Sequence, residues 1–113
     1  MTISNFFKFE GTIISPGEIF SLTEDMLDDF YSDSGEIERI NIFFHLQNEL
    51  LYLKAEERKK EAAYVSYLIS YYIFYPLTPP HSEELALYYA KEALALHNTI
   101  KYQDWIKVVE EGN

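Results

Sequence analysis

The chain has 113 residues, 9 Lys+Arg against 19 Asp+Glu, a formal net charge of −10, 48% hydrophobic residues and no cysteine. That length fits one domain, 1–113, and the apolar fraction excludes a disordered acidic chain. Disulfides, thiolate metal sites and cysteine nucleophiles are excluded, and the absence of a basic n-region followed by an apolar h-region makes the cytoplasm the expected compartment.

Residues 1–14 have no clean period, so this arm is irregular: either a short extended segment at Phe7–Phe9 or an apolar strap on a helical core. Ser15-Pro16-Gly17-Glu18 reads as a helix start, with Pro16 at the first helical position and Glu18 completing a capping box. Ser21-x-x-Glu24 offers a second box, so the spacing predicts a short helix broken near Ser21 and ending before Ser32. Its apolar set is Ile19, Phe20, Leu22, Met26, Leu27, Phe30 and Tyr31; its outer face carries Glu24, Asp25, Asp28 and Asp29.

Asp33-x-x-Glu36 opens the next helix, from about Ser34 to Lys54. Its apolar residues fall in two arcs. Ile37, Ile40, Phe44 and Leu51 form one; Ile42, Phe43, Leu46, Leu50 and Leu53 form the other. Two arcs predict a helix sandwiched between neighbours. The strip between them, Glu38, Asn41, His45, Asn48, Glu49 and Tyr52, is expected to face solvent or a partner.

The charged run Glu56–Glu61 is either a polar first turn or a connection. Residues 62–77 are apolar or aromatic almost throughout, but the run is shorter than the ~20 residues that span a bilayer and is rich in Tyr and Ser, which predicts a buried central helix. Pro76, Pro79 and Pro80 end it. Ser82 then caps a helix to about Leu96, with Leu85, Ala86, Tyr89, Ala90, Ala93 and Leu96 on its packing side. Asn98 or Thr99 caps the last helix, which holds Tyr102, Trp105, Ile106 and Val109 and stops at Gly112. The fold class is all-α: a single-domain bundle of about five helices with short connections and antiparallel sequential neighbours.

Signals for catalysis are thin. His45 and Glu49 have a metal-ligand spacing but no third ligand accompanies them, the four glycines are too scattered for a phosphate loop, and no nucleophile elbow is present. A non-enzyme without cofactor or metal is expected. The acidic excess is uneven: residues 1–40 hold 9 acids and 2 bases, and no Lys or Arg occurs between Glu18 and Glu38. Such a surface repels nucleic acid and anionic membranes and attracts a basic protein. Ten tyrosines add contact area with a polar tip; about two-thirds are expected to be structural and the rest available to a protein interface.

Residues 62–98 resemble a distorted tetratricopeptide hairpin, with Leu68 and Tyr72 at its large positions, Ala86, Ala90 and Ala93 at its small ones, Asn98 at its stop, and PLTPP lengthening its turn. The resemblance implies an α-hairpin with close helix approach in the C-terminal half. Residues 71–113, with an aromatic helix, an L-T-P-P turn, an alanine-rich helix and a terminal Tyr-x-x-Trp-Ile, resemble small acidic immunity proteins of bacterial contact-dependent growth inhibition and polymorphic toxin systems. That resemblance implies a cytoplasmic partner of a sister toxin's C-terminal domain, commonly a basic nuclease, and transfers no residue-level site.

The expected function is therefore stoichiometric occlusion of a basic toxin domain, by a chain that is a monomer or weak homodimer when free. The residues expected to carry it are Asp25, Asp28, Asp29, Asp33, Glu36 and Glu38, with Glu18 and Glu24 at the edge and Asn41, His45, Asn48 and Tyr52 as a second strip. The alternative is a helical adaptor with a groove lined by Tyr64, Tyr67 and Tyr71.

Overall fold

The computed structural model describes residues 14–112, so the expected N-terminal arm lies outside the described residues except for Ile14. A 3-10 turn, Pro16–Ser21, precedes five α-helices: α1 Glu24–Asp33, α2 Glu36–Ala55, α3 Lys59–Tyr72, α4 Ser82–Leu96 and α5 Ile100–Glu111. No strand occurs among the described residues. The expected all-α bundle is present. Its antiparallel α3–α4 hairpin forms the C-terminal half with α5.

α3 is the centre. Every residue from Ala62 to Ser70 is buried, and so are Tyr72, Ile73 and Phe74. Burying so many hydroxyls requires a partner for each. Ser66 and Ser70 lie one turn apart and donate to the backbone carbonyls of Tyr89 (2.7 Å) and Ala86 (2.6 Å) in α4. Side chains as short as serine reach another helix's carbonyls only because Ala86, Ala90 and Ala93 let the backbones approach. The Trp105 indole N–H of α5 donates to the same Ser70 hydroxyl at 2.7 Å. On the other side Tyr64 donates to the Leu22 carbonyl and Tyr72 to the Arg39 carbonyl, each at 2.6 Å. Pairings that descend along one helix as they ascend the other make α4 antiparallel to α3.

The end of α3 is widened. Ile73–Leu77 forms a π turn with Pro76 inside it, closed by the Thr78 N–H on the Ile73 carbonyl at 3.0 Å. Proline lacks the amide hydrogen that an α-turn needs and its ring crowds the carbonyl four residues back, so one extra residue in the turn relieves both. Thr78 and His81 then hold left-handed backbone, at φ 41° and 62°, to reverse the chain.

Several expected caps fall elsewhere. Ser15 makes no side-chain cap; its carbonyl takes the Glu18 N–H, which starts the 3-10 turn. Thr23 rather than Ser21 caps α1, accepting from the Met26 N–H, and α1 runs on to Asp33. At α2 the Glu38 carboxylate takes the Gly35 N–H at 2.6 Å, so the start lies two residues beyond Asp33. His81 occupies the N-cap position of α4 and Ser82 is its first helical residue. Thr99 caps α5 through the Tyr102 N–H, and Gly112, at φ 80°, ends it. Glu56–Arg58 is the α2–α3 connection, and the charged run continues as the first turn of α3.

α2 departs most from expectation. Ile42, Leu46, Leu50 and Leu53 are buried and Phe43 packs against them, but Ile37, Ile40, Phe44 and Leu51 are all exposed. Among the described residues one arc, not two, has a neighbour. Phe20 and Leu85, also expected in the core, are exposed. Glu49, expected on the outward strip, is 1% exposed: its Oε1 accepts the Ile14 N–H at 2.7 Å, which ties the segment before the 3-10 turn to α2. Among the described residues its Oε2 has no partner.

Burial raises the Glu49 pKa, against the opposing pull of the Ile14 amide. A carboxyl whose folded pKa lies above its unfolded value of about 4.3 loses stability for the fold as pH rises through that interval. Glu49→Gln keeps an oxygen for the amide and removes the charge. Urea unfolding between pH 4 and 7 is expected to show a flatter pH dependence in the variant, by up to about 1.4 kcal/mol per pH unit over the titrating range. An unchanged slope would show that Glu49 does not titrate differently in the two states.

Candidate protein-binding surface

The acidic residues of α1 divide into two sets. Glu24 and Asp28 lie one turn apart and face α3, where Tyr67 and Tyr71 lie one turn apart. The Tyr67 hydroxyl donates to Glu24 Oε2 at 2.6 Å and the Tyr71 hydroxyl to Asp28 Oδ2 at 2.8 Å. The shared four-residue step makes α1 and α3 parallel and fixes their register. Lys101 of α5 adds an ion pair to Glu24 at 3.5 Å and lies 4.7 Å from the centre of the Tyr67 ring. Both carboxylates are thus turned inward, which corrects their placement on the outer face of α1.

The electrostatics follow from this geometry. Burial acts to raise the Glu24 pKa, but the Tyr67 hydroxyl, the local backbone and Lys101 outweigh it, and the net effect is a lowered value. Tyr67 and Tyr71 are raised, first by burial and then by the carboxylates they serve, so both stay protonated donors. Tyr64 is pushed up to about 12, mainly by burial. The same tyrosines pack around Trp105, with ring centres 5.5 Å away for Tyr67 and 5.8 Å for Tyr71. Tyr64 and Tyr67 are buried and Tyr71 half-buried. The groove expected from these three is therefore filled by α1 and α5.

The second acidic set faces outward. Asp25, Asp29 and Asp33 are exposed at four-residue spacing and form one stripe down α1. The stripe runs into the exposed first turn of α2 at Glu36 and Glu38. Among the described residues none of these five is in an ion pair; Glu38 also caps α2. The nearby base Arg39 is held by α1: its Nε–H donates to the Tyr31 carbonyl at 2.8 Å and its guanidinium stacks 4.0 Å from the Tyr31 ring centre. Glu18 is exposed on the 3-10 turn.

The second expected strip continues along α2 from Glu38 at alternating three- and four-residue steps: Asn41 and Asn48 are exposed, His45 and Tyr52 half-buried. Glu49 leaves this strip for the interior, so its carboxylate cannot join His45 in a surface metal site. No cluster of three metal-ligating side chains occurs among the described residues. Of the ten tyrosines, Tyr75 and Tyr88 are exposed.

Beside the polar strip lies a feature that the sequence did not single out as surface. Ile37, Ile40, Phe44 and Leu51 make an exposed apolar stripe, with Ile37 74%, Phe44 59% and Leu51 65% accessible. An apolar groove of about 210 Å³ borders it, lined by Ile40, Phe43, Phe44, Ile73, Leu77, Pro79 and Leu85. The seven-residue spacing of Ile37, Phe44 and Leu51 was legible; its exposure was not, because periodicity shows an apolar arc without showing what covers it.

The inward pair gives a direct test. Tyr67→Phe removes one hydroxyl from a carboxylate and is expected to destabilise the fold by about 1–2 kcal/mol at pH 7. A lowered folded pKa contributes stability above the unfolded value of about 4.3 and loses it as pH falls through the folded value. The wild-type and Tyr67→Phe stability curves should therefore converge on acidification, and curves that stay parallel would remove Glu24 from the account. No protein-family model matches this chain, and neither the curated proteins nor the solved structures contain a match.

Proposed function

We propose that the chain is a non-enzymatic inhibitor, an immunity protein of the bacterial toxin–immunity type, that binds a basic toxin domain in the cytoplasm and occludes its active or substrate-binding surface. The observation that carries this reading is the outward stripe Asp25–Asp29–Asp33 continued by Glu36. Asp25 and Glu36 lie in the first turns of α1 and α2, where the helix dipole favours an acid, whereas Asp29 and Asp33 work against local stability. Like charges at four-residue spacing destabilise a helix by roughly 0.2–0.5 kcal/mol per pair, and Asp33 sits at the negative end of the α1 dipole with no basic residue in the last turn. Acids that serve the fold, such as Glu24, Asp28 and Glu38, have partners within it. A stripe that costs helix stability fits a surface used for association.

A basic nuclease domain supplies the complementary field. Long-range attraction of this kind acts mainly on encounter rate and on partner choice. The uncharged side chains Asn41 and Asn48, with His45 and Tyr52, extend the same face with hydrogen-bonding and aromatic groups suited to a desolvated contact. No helix among the described residues is long and apolar enough to cross a membrane. The adaptor alternative has less support, since the tyrosines that would line its groove are engaged by α1 and α5.

Co-expression with the adjacent reading frame, followed by affinity purification, is expected to give one stoichiometric complex with a basic protein. In the combined variant Asp25→Asn, Asp29→Asn, Asp33→Asn and Glu36→Gln, the association rate at low salt is expected to fall about tenfold or more and its salt dependence to flatten. Dissociation should change less. Stopped-flow rates that match wild type at every ionic strength would refute the electrostatic basis of the reading.

A further inference from the structure

We propose that the groove between α2 and α4 seats an amphipathic helix of the basic partner, laid antiparallel to both with its apolar face on Ile40, Phe44 and Leu85. This deepens the inhibitor reading and rests on it for the identity of the partner. It adds an anchoring contact to the acidic stripe that draws the partner in.

The groove follows from the packing. α2 and α4 both lie on α3. They run parallel, since Gln47 meets Tyr89 and, further along both, Lys54 meets Glu92. Toward their N-terminal ends the groove of about 210 Å³ opens between them, and every side chain that lines it is apolar. Ile37, Ile40, Phe44 and Leu51 of α2 are exposed along it, and so are Leu85 and Tyr88 of α4. The volume is below the roughly 300–1,000 Å³ of small-ligand pockets, so it suits anchoring side chains of a macromolecule. The stripe from Ile37 to Leu51 extends about 21 Å, or about four helical turns. No strand among the described residues offers an edge for strand addition, which leaves a helix laid in a groove as the mode that fits.

The border of the groove identifies the occupant. Glu36 is one turn before Ile40 on α2 and Glu84 one turn before Tyr88 on α4, so both stand at the open, N-terminal end, and both are exposed. Among the described residues Glu36 is in no ion pair and Glu84 faces only the His81 ring, at 3.5 Å. At the other end Lys54 is already neutralised by Glu92, and Lys91 follows Tyr88 on the outer side of α4. Glu36 also ends the acidic stripe Asp25–Asp29–Asp33, so the surface that attracts a basic protein continues into the apolar groove. One partner can then cover both, with basic groups on the stripe and apolar anchors in the groove, which is the charged rim and desolvated centre of a protein interface. An antiparallel helix sets its C-terminal turn, where the dipole favours Lys and Arg, beside Glu36 and Glu84. A second copy would bring the same acids and a net charge of −10 to this face, which disfavours it.

The test uses the full chain, free and in complex with the co-expressed basic protein. The chain has no cysteine of its own, so Ile37→Cys reports on the stripe while keeping the groove side chains. Its maleimide labelling is expected to be fast in the free chain at every concentration and about tenfold slower or more in the complex, in proportion to the fraction left unbound. Phe44→Ala with Leu85→Ala changes two exposed positions and should keep the helical circular dichroism of the parent. The double variant is expected to associate within about twofold of the parental rate and to dissociate about tenfold faster or more, the converse of the acidic-stripe variant. If no basic protein co-purifies, the inhibitor reading and this assignment fall together. If the complex forms but Ile37→Cys labels at its free rate, or the double variant dissociates at the parental rate, this assignment alone is overturned. Labelling of the free chain that slows only as its concentration rises would give the groove to a second copy. Slow labelling at every concentration would give it to another part of the same chain, and either result overturns the proposal.

Discussion

The fold depends on α3 burying hydroxyl groups that must all be answered. A helix with this many tyrosines and serines at its centre is stable only if each polar tip meets an acceptor, and the acceptors here come from four neighbouring elements. Ser66 and Ser70 hold α4, Tyr64 holds the 3-10 turn, Tyr67 and Tyr71 hold α1, and Tyr72 holds α2. Trp105 closes the arrangement from α5 through Ser70. Apolar packing drives the collapse, but these directed bonds select one register for each helix. They also explain why tyrosine replaces leucine here: a leucine would supply area without fixing a partner.

That constraint reaches the surface through α1. A helix of ten residues with little burial of its own, having Leu27 as its one buried side chain, is held by two carboxylate–hydroxyl rungs. Once Glu24 and Asp28 are fixed inward, Asp25, Asp29 and Asp33 have to face outward, because helical geometry leaves them no other side. The internal pairing thereby orients the acidic stripe on which the inhibitor reading rests. Charge inside the fold is paired with a hydroxyl or an amide, and charge on the α1 stripe is left to the solvent or to a partner.

α2 shows the opposite arrangement. Its inner face is secured by Ile42, Leu46, Leu50 and Leu53, by the Tyr72–Arg39 bond, and by Gln47, which donates to the Tyr89 hydroxyl at 2.5 Å. Among the described residues its outer face has no neighbour. Glu49 marks the limit between them: a carboxylate drawn into the interior because it meets the Ile14 amide, at the electrostatic expense of burial. The molecule thus presents an acidic stripe on α1 and an apolar stripe on α2, with opposite physical character.

Local sequence is enough for the all-α class, the order and approximate extent of the helices, the central position of the 62–77 segment and the proline-rich turn that follows it. These are local properties: period, capping chemistry and the missing amide of proline act within a few residues. Cap positions slipped by one or two residues, from Ser21 to Thr23 and from Ser82 to His81, because neighbouring polar residues compete for the same amides and backbone geometry chooses among them. The sequence also concentrated negative charge in the first third of the chain. Which acids are free is set by contacts between helices distant in the chain. Glu24 and Asp25 look alike in a sequence, and so do Asn48 and Glu49; what separates them is whether Tyr67, or the Ile14 amide, arrives from forty or so residues away. The two apolar arcs of α2 were equivalent for the same reason. Periodicity records a face that prefers to leave water, and the number of helices available to cover it is a property of the whole fold.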